Sequence, residues 1–196
     1  MLMKVEPLHD AITDISSRGD VRPCVVFFTP CGVPFTQHVA ERLSSVERIL
    51  FVCGRYEGMD ERAYALADER LSIGDYVLTG GELPALVVSD AIIRLLPGAL
   101  GNDMGSVDEP FPPVEDLALL EYAQYTRPAD FNGNAVPEVL LSGDHAKVDA
   151  WRRASALERT CRWRPDLIES ARLTNGERVL ATELITRFHG SKAGEA

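Results

Sequence analysis

The sequence predicts an α/β domain organised on a parallel sheet, followed by a small all-α module. Three observations carry this. Apolar runs of strand length alternate with segments of helical period, the pattern of a parallel sheet with covering helices. One run, Val25-Val26-Phe27-Phe28, is continuous rather than alternating, as in a strand covered on both faces. Beyond an acidic, proline-bearing stretch, the remaining pattern is helical. The expected boundaries are 1–100 for the α/β domain, 101–131 for a linker and 132–196 for the helical module.

Residues 1–19 read as a first helix, because Val5, Leu8, Ile12 and Ile15 share one face and Gly19 supplies a stop. Arg22–Pro30 holds the continuous apolar strand, with Thr29-Pro30-Cys31-Gly32 as the loop at its carboxyl end. Thr36–Leu43 is helical in pattern. Arg48–Cys53 is a second buried strand running into Gly54, and Glu61–Leu71 is a short helix. Tyr76-Val77-Leu78 reads as a third short strand. Leu83–Leu96 is a helix with Pro84 in its first turn, where a missing N–H costs nothing. Asp108–Asp116 holds Pro110, Pro112 and Pro113 among carboxylates and cannot be a regular helix. Pro137–Leu141 is a short strand or turn, Asp144–Arg162 a strongly patterned helix, and Glu177 to about His189 the last one.

A chain of 196 residues suffices for one sizeable core and a small second unit. No apolar run approaches the ~20 residues of a membrane span. The four cysteines form no CxxC pair and show no zinc-ligand spacing, so a reducing cytoplasm and no metal site are expected. The net charge of -10 excludes nucleic-acid binding by the surface at large but leaves room for a local basic patch. Neither GxGxxG after a strand nor GxxxxGK[ST] is present, which argues against a phosphate-cradling loop.

The richest stretch runs from Gly54 to Pro84, with five glycines in 31 residues. It reads Gly-Arg-Tyr-Glu-Gly-Met-Asp-Glu-Arg from Gly54 and Ser-Ile-Gly-Asp-Tyr-Val-Leu-Thr-Gly-Gly-Glu-Leu-Pro from Ser72. Glycine stands where backbone needs positive φ or must approach another group closely. Two such loops beside strand ends suggest a site made largely of main-chain N–H and C=O groups, suited to a flat, polar-edged ligand such as an adenine nucleoside. Parallel sheets of this kind place ligands at the carboxyl edge.

These two loops resemble the signature loops of the bacterial tRNA (guanine-N1)-methyltransferases. The resemblance extends over nearly the whole chain, through Asp90-x-x-x-Arg94, Leu119-Leu120-Glu121-Tyr122, Tyr125-Thr126-Arg127-Pro128, Val136–His145, Trp151-Arg152 and Arg164-Pro165-Asp166-Leu167. It implies a SPOUT-like domain with a deep trefoil knot, a homodimer with sites built across both subunits, and methyl transfer from S-adenosylmethionine to N1 of guanosine 37 in tRNA. The donor would lie against Phe27, Phe28, Thr29 and Pro30, then Gly54, Tyr56 and Gly58. Ser72, Ile73, Gly74, Asp75, Tyr76, Val77, Leu78, Gly80, Gly81 and Pro84 would complete that pocket. Arg94 would stand near the donor and the target base.

The resemblance places the general base in the linker at Glu109, with neighbouring Asp108 as the second candidate and Asp116 as a distant third. The three prolines and several additional residues before Leu119 depart from the family pattern there. The tRNA would be held by Arg152, Arg153, Arg159, Arg162 and Arg164, with Trp163 for stacking and His145 and Lys147 extending the patch. Family members begin some tens of residues earlier, with a strand and a glycine-rich segment before the Met-Leu-Met. The alternative reading is therefore a shortened member that binds donor and tRNA without turnover.

Overall fold

A computed structural model describes residues 1–99 and 119–190. The chain divides into two compact units, Met1–Asp103 and Met104–Ala196. The first is built on three parallel strands, β1 (Cys24–Pro34), β2 (Ile49–Val52) and β3 (Glu69–Ser72), in the order β2-β1-β3.

The continuous apolar run explains why β1 is central. Its side chains alternate between two cores. Val26 and Phe28 pack with Leu71 on one face, under the helices α2 (Gln37–Ser44) and α3 (Glu82–Ile93). Val25 and Phe27 pack on the other with Val52, Met59 and Ala63, under the helix α1 (Val5–Ser17) through its Leu8 and Ile12. Both faces of the sheet are thereby covered, as a parallel sheet requires.

Three expectations are corrected. Thr29-Pro30-Cys31-Gly32 is not a terminal loop but a bulge within β1. Phe28 and Val33 both pair with Leu71, so the residues between them arch away and return at Gly32. A Cβ on Gly32 would lie 2.5 Å from the Leu71 carbonyl carbon, which only glycine avoids. Tyr76-Val77-Leu78 is not a strand; it lies exposed, Val77 at 92%. The third strand is instead Glu69–Ser72, where a helix was expected to continue, and the helix there shrinks to a 3-10 turn over Glu61–Leu66. The charged residues of this strand hid it. Glu69 pairs with Arg42 and Arg70 lies over the Tyr64 ring, so they read as helix surface.

The second unit packs α5 (His145–Trp163) against α6 (Asn175–His189), preceded by a two-residue ladder, β4 (Asp130–Phe131) with β5 (Asn134–Ala135), and the short α4 (Glu138–Leu141). The expected strand or turn at 137–141 is thus helical. Residues 119–131, assigned by sequence to the linker, belong to this unit. Leu119 is buried with Leu157 and Cys161, Leu120 N–H donates to Thr160 Oγ1 at 2.8 Å, and Ala123 N–H donates to Ser155 Oγ at 3.1 Å. Among the described residues no helix is long and apolar enough to cross a membrane.

α6 opens with a capping box in which Thr174 and Glu177 satisfy each other's backbone N–H groups. Arg153 of α5 donates to the same Glu177 at 2.7 Å. The Arg153 guanidinium, helped by bonds from Thr174, holds the Glu177 carboxyl down at about 2, against an ordinary 4.5. A depressed folded value means stability present above about pH 4.5 and lost as pH falls toward 2. We expect the thermal midpoint to drop on acidification through that window, and Glu177→Gln to be less stable near neutrality with a flatter acid limb. Capping contributions of this kind are worth about 1 kcal/mol. Superimposable acid profiles for the two proteins would remove the pair from the stability of this unit.

Candidate functional site

The bulge of β1 and the segments that follow β2 and β3 open into a cleft of about 210 Å³. Its apolar lining includes Phe28, Leu71, Ile73 and Pro84, three of them buried. One wall is the loop from Gly54 to Met59 and the other the loop from Ser72 to Gly81.

Close backbone approach joins these walls. Gly81 N–H donates to the Gly54 carbonyl at 2.9 Å, and Arg55 and Gly80 form an antiparallel bridge. Gly81 sits so near β2 that a Cβ would lie 2.7 Å from Cys53 Cα. Arg55 crosses to Glu82 at 2.8 Å and ties the start of α3 to the first loop. Below them Ser72 Oγ accepts from Gly74 N–H at 3.3 Å. Gly74 has φ +143°, and its missing side chain leaves the space filled by the Tyr76 ring, whose hydroxyl donates to the Ile73 carbonyl. Tyr56 holds φ 62°, a strained setting for a non-glycine residue that recurs at functional sites.

Of the seventeen residues expected at a donor pocket, fifteen line this cleft. Phe27 does not. It is fully buried on the opposite face of the sheet, with its ring centroid 5.4 Å from that of Tyr64. Asp75 lies exposed on the loop and outside the lining. Arg94 is the C-cap of α3, thirteen positions beyond Gly81. At 1.5 Å per residue that is about 20 Å along the helix, and Arg94 does not line the cleft. Glu109, Asp108 and Asp116 lie outside the described residues. Asp60 accepts from Arg62 N–H as the cap of the 3-10 turn, and the Arg62 guanidinium holds its carboxyl at about 2. Its role is local structure.

The sequence reading missed the Arg55–Glu82 clamp, since two charges 27 positions apart leave no local signature. It also passed over Met59 and Tyr64, which line the cleft while serving the core.

In the helical unit the five arginines do not form one patch. Arg153 is taken by Glu177 and the Arg172 carbonyl, and Arg164 by Asp166. Arg162 stacks between Trp163 and Phe188. Arg152 lies 4.9 Å over the Tyr122 ring, and Arg159 donates to the Glu121 carbonyl at 2.9 Å. Arg152 and Arg159 are seven positions apart on α5 and so fall on nearly one line along it, beside the segment that carries Tyr122. The acidic excess also has an address. Residues 119–190 hold ten acidic and ten basic side chains, so the whole surplus lies N-terminal to Leu119.

A three-stranded parallel α/β domain with a glycine-rich cleft at its carboxyl edge, followed in the same chain by a helical unit, defines the class of an α/β protein with an accessory helical module. Comparison with known proteins narrows this further. Residues 1–170 match the family described as tRNA (Guanine-1)-methyltransferase TrmD, and the chain belongs to that family. Similar proteins named tRNA (guanine-N(1)-)-methyltransferase occur in several bacteria. That of Lactobacillus delbrueckii subsp. bulgaricus is 50% identical over 177 residues, covering 90% of this chain and 69% of the relative. That of Moorella thermoacetica is 49% identical over 189 residues, covering 95% and 74%. That of Bacillus subtilis is 45% identical over 184 residues, covering 93% and 74%.

Proposed function

We propose that this protein transfers a methyl group from S-adenosylmethionine to N1 of guanosine 37 in tRNA. The observation that carries the reading is the cleft itself. Gly54, Gly58, Gly74, Gly80 and Gly81 all line it, so no side chain covers the backbone at those positions, and apolar side chains such as Phe28, Leu71 and Ile73 lie between them. That lining fits an adenine nucleoside, which presents ring-edge donors and acceptors and two apolar faces.

When bound, S-adenosylmethionine supplies an electrophilic methyl on a positively charged sulfur. The chain's own residues do the rest. The loops around Gly54 and Gly81 bind and orient, and the exposed Tyr76, Val77 and Leu78 close over the cleft mouth and shed water. A carboxylate takes the proton that N1 of guanine must lose as its bond to the methyl forms, and Glu109 has that role. The product base is neutral, so no charge is left behind.

Two finer elements belong to the same reading. The close approach of Gly81, at the start of α3, to the backbone just after β2 is what a knotted, SPOUT-like chain path would require. The face of α3 that carries Leu83, Leu86, Val87 and Ile93 is apolar and 51–64% exposed, which supports a homodimer that covers it. A second subunit also gives Arg94 a route to a cleft it does not line in its own chain.

One experiment tests the whole. The 196-residue chain is incubated with methyl-labelled donor and a tRNA transcript carrying G37, with an A37 transcript as control. Label is expected in the G37 transcript alone, from a species sedimenting at twice 21.5 kDa. Donor binding by calorimetry without label in either transcript sinks the transferase reading and leaves a binding protein.

A further inference from the structure

The helical unit contains a second concavity, of about 570 Å³, that the reaction above does not use. We propose that it binds one unpaired nucleotide of the substrate RNA, with the base on Tyr125 and Arg152 and the phosphate on Arg127. The inference rests on the tRNA reading and adds a site to it.

Four observations point there. Aromatic and guanidinium faces line the groove. The Arg152 guanidinium lies 4.9 Å over the Tyr122 ring centroid, and the Tyr125 ring sits 6.2 Å from Trp151 at 54° with half its surface exposed. Bases stack on such faces without sequence preference. Val136 and Leu140 add apolar lining, which suits the π-face of a stacked base. Arg127 lines the same groove, and its guanidinium has no hydrogen-bond or ion-pair partner among the described residues. An unpaired guanidinium beside stacking rings matches a phosphate attached to a base, which a peptide segment would not supply. Finally, the wall is preorganised. The Leu120 and Ala123 N–H groups are pinned to side chains of α5, which fixes the segment that carries Tyr122 and Tyr125. Arg159, bonded to the Glu121 carbonyl, continues the cationic line from the groove mouth along α5.

Single-stranded RNA is recognised through splayed bases rather than through its duplex grooves. The occupant is therefore a looped-out or single-stranded nucleotide, not a helical stem.

The test uses the full chain. Tyr125→Ala should weaken binding of the G37 transcript about tenfold, the usual size of a lost base stack, while Tyr125→Phe keeps most of the affinity. Arg127→Met should weaken binding as well and reduce the slope of log affinity against log salt by about one. Both variants should raise KM for tRNA, leave kcat at saturating tRNA unchanged, and leave donor affinity unchanged. In a Trp163→Phe background, Trp151 fluorescence should change on adding a single-stranded loop transcript and not on adding a fully paired duplex. A wild-type enzyme that methylates G37 alongside Tyr125 and Arg127 variants with unaltered tRNA affinity overturns the groove and leaves the function standing. An equal Trp151 response to duplex overturns the unpaired nucleotide. Failure of the wild-type chain to bind tRNA at all sinks the tRNA reading, and the groove with it.

Discussion

Gly81→Ala is expected to abolish methyl-donor binding and to lower stability by about 1–3 kcal/mol, the range for forcing atoms into a packed interior. The added Cβ would stand 2.7 Å from Cys53 Cα, 2.9 Å from Gly54 N and 3.1 Å from Cys53 C. All three are backbone atoms at the end of β2, so no rotamer change relieves the contact. Either α3 moves at its first turn or the Cys53–Gly54 peptide does. Both movements break the Gly81 N–H bond to the Gly54 carbonyl and pull Arg55 from Glu82, and both separate the two walls of the cleft.

Gly80→Ala is the informative neighbour. Its Cβ would meet the ends of the Glu82 and Arg55 side chains, which can swing away, so it should cost less stability while loosening the clamp. Gly176→Ala, in α6 with open space around it, serves as the neutral control. Calorimetry with S-adenosylmethionine and a thermal melt decide the matter. A Gly81→Ala protein that binds donor and melts like the parent would mean the loop crossing is looser than the structure has it.

How far such residues could be read in advance depends on what each signals locally. Val25–Phe28 announced a doubly covered strand because burial on two faces demands an unbroken apolar run. The strand Glu69–Ser72 could not be read that way, since it lies at the sheet edge and only Leu71 and Ser72 are buried. The opposite error at Tyr76-Val77-Leu78 has a functional cause. Those residues have β-favouring side chains, yet propensity reflects a fit to a half-buried pleated surface, and here the same chemistry lines an open cleft. Glycines 74 and 81 were legible because a positive φ at the first and close backbone approach at the second both call for glycine. Arg153 was read as an RNA contact because its charge shows in sequence and its partner Glu177 does not. Leu119 was hidden for a related reason, as an isolated buried residue in a segment without period.

Glu109→Gln is expected to lower the single-turnover methylation rate by about 10²–10⁴-fold, the range for loss of a general base, while donor and tRNA affinities stay at the parent values. The expectation follows from the reaction. Guanine N1 carries a proton at neutral pH, and an attack that left it in place would build positive charge on the base. An amide of the same shape as the carboxylate can still accept a hydrogen bond from N1–H but cannot take the proton, so binding survives and the chemical step does not. Asp108→Asn, one residue earlier in the same acidic run, should leave the rate within a few-fold of the parent. Their side chains differ in length by one methylene and start from different Cα atoms, so a base held within hydrogen-bond reach of N1 is one of them and not both. Glu109→Asp separates charge from reach. It keeps the carboxylate, shortens it, and should fall between the parent and Glu109→Gln. If Asp108→Asn carries the loss instead, the base is Asp108. If neither substitution slows the single turnover, the N1 proton leaves through a group outside this acidic run, and the assignment of a linker carboxylate as base is wrong.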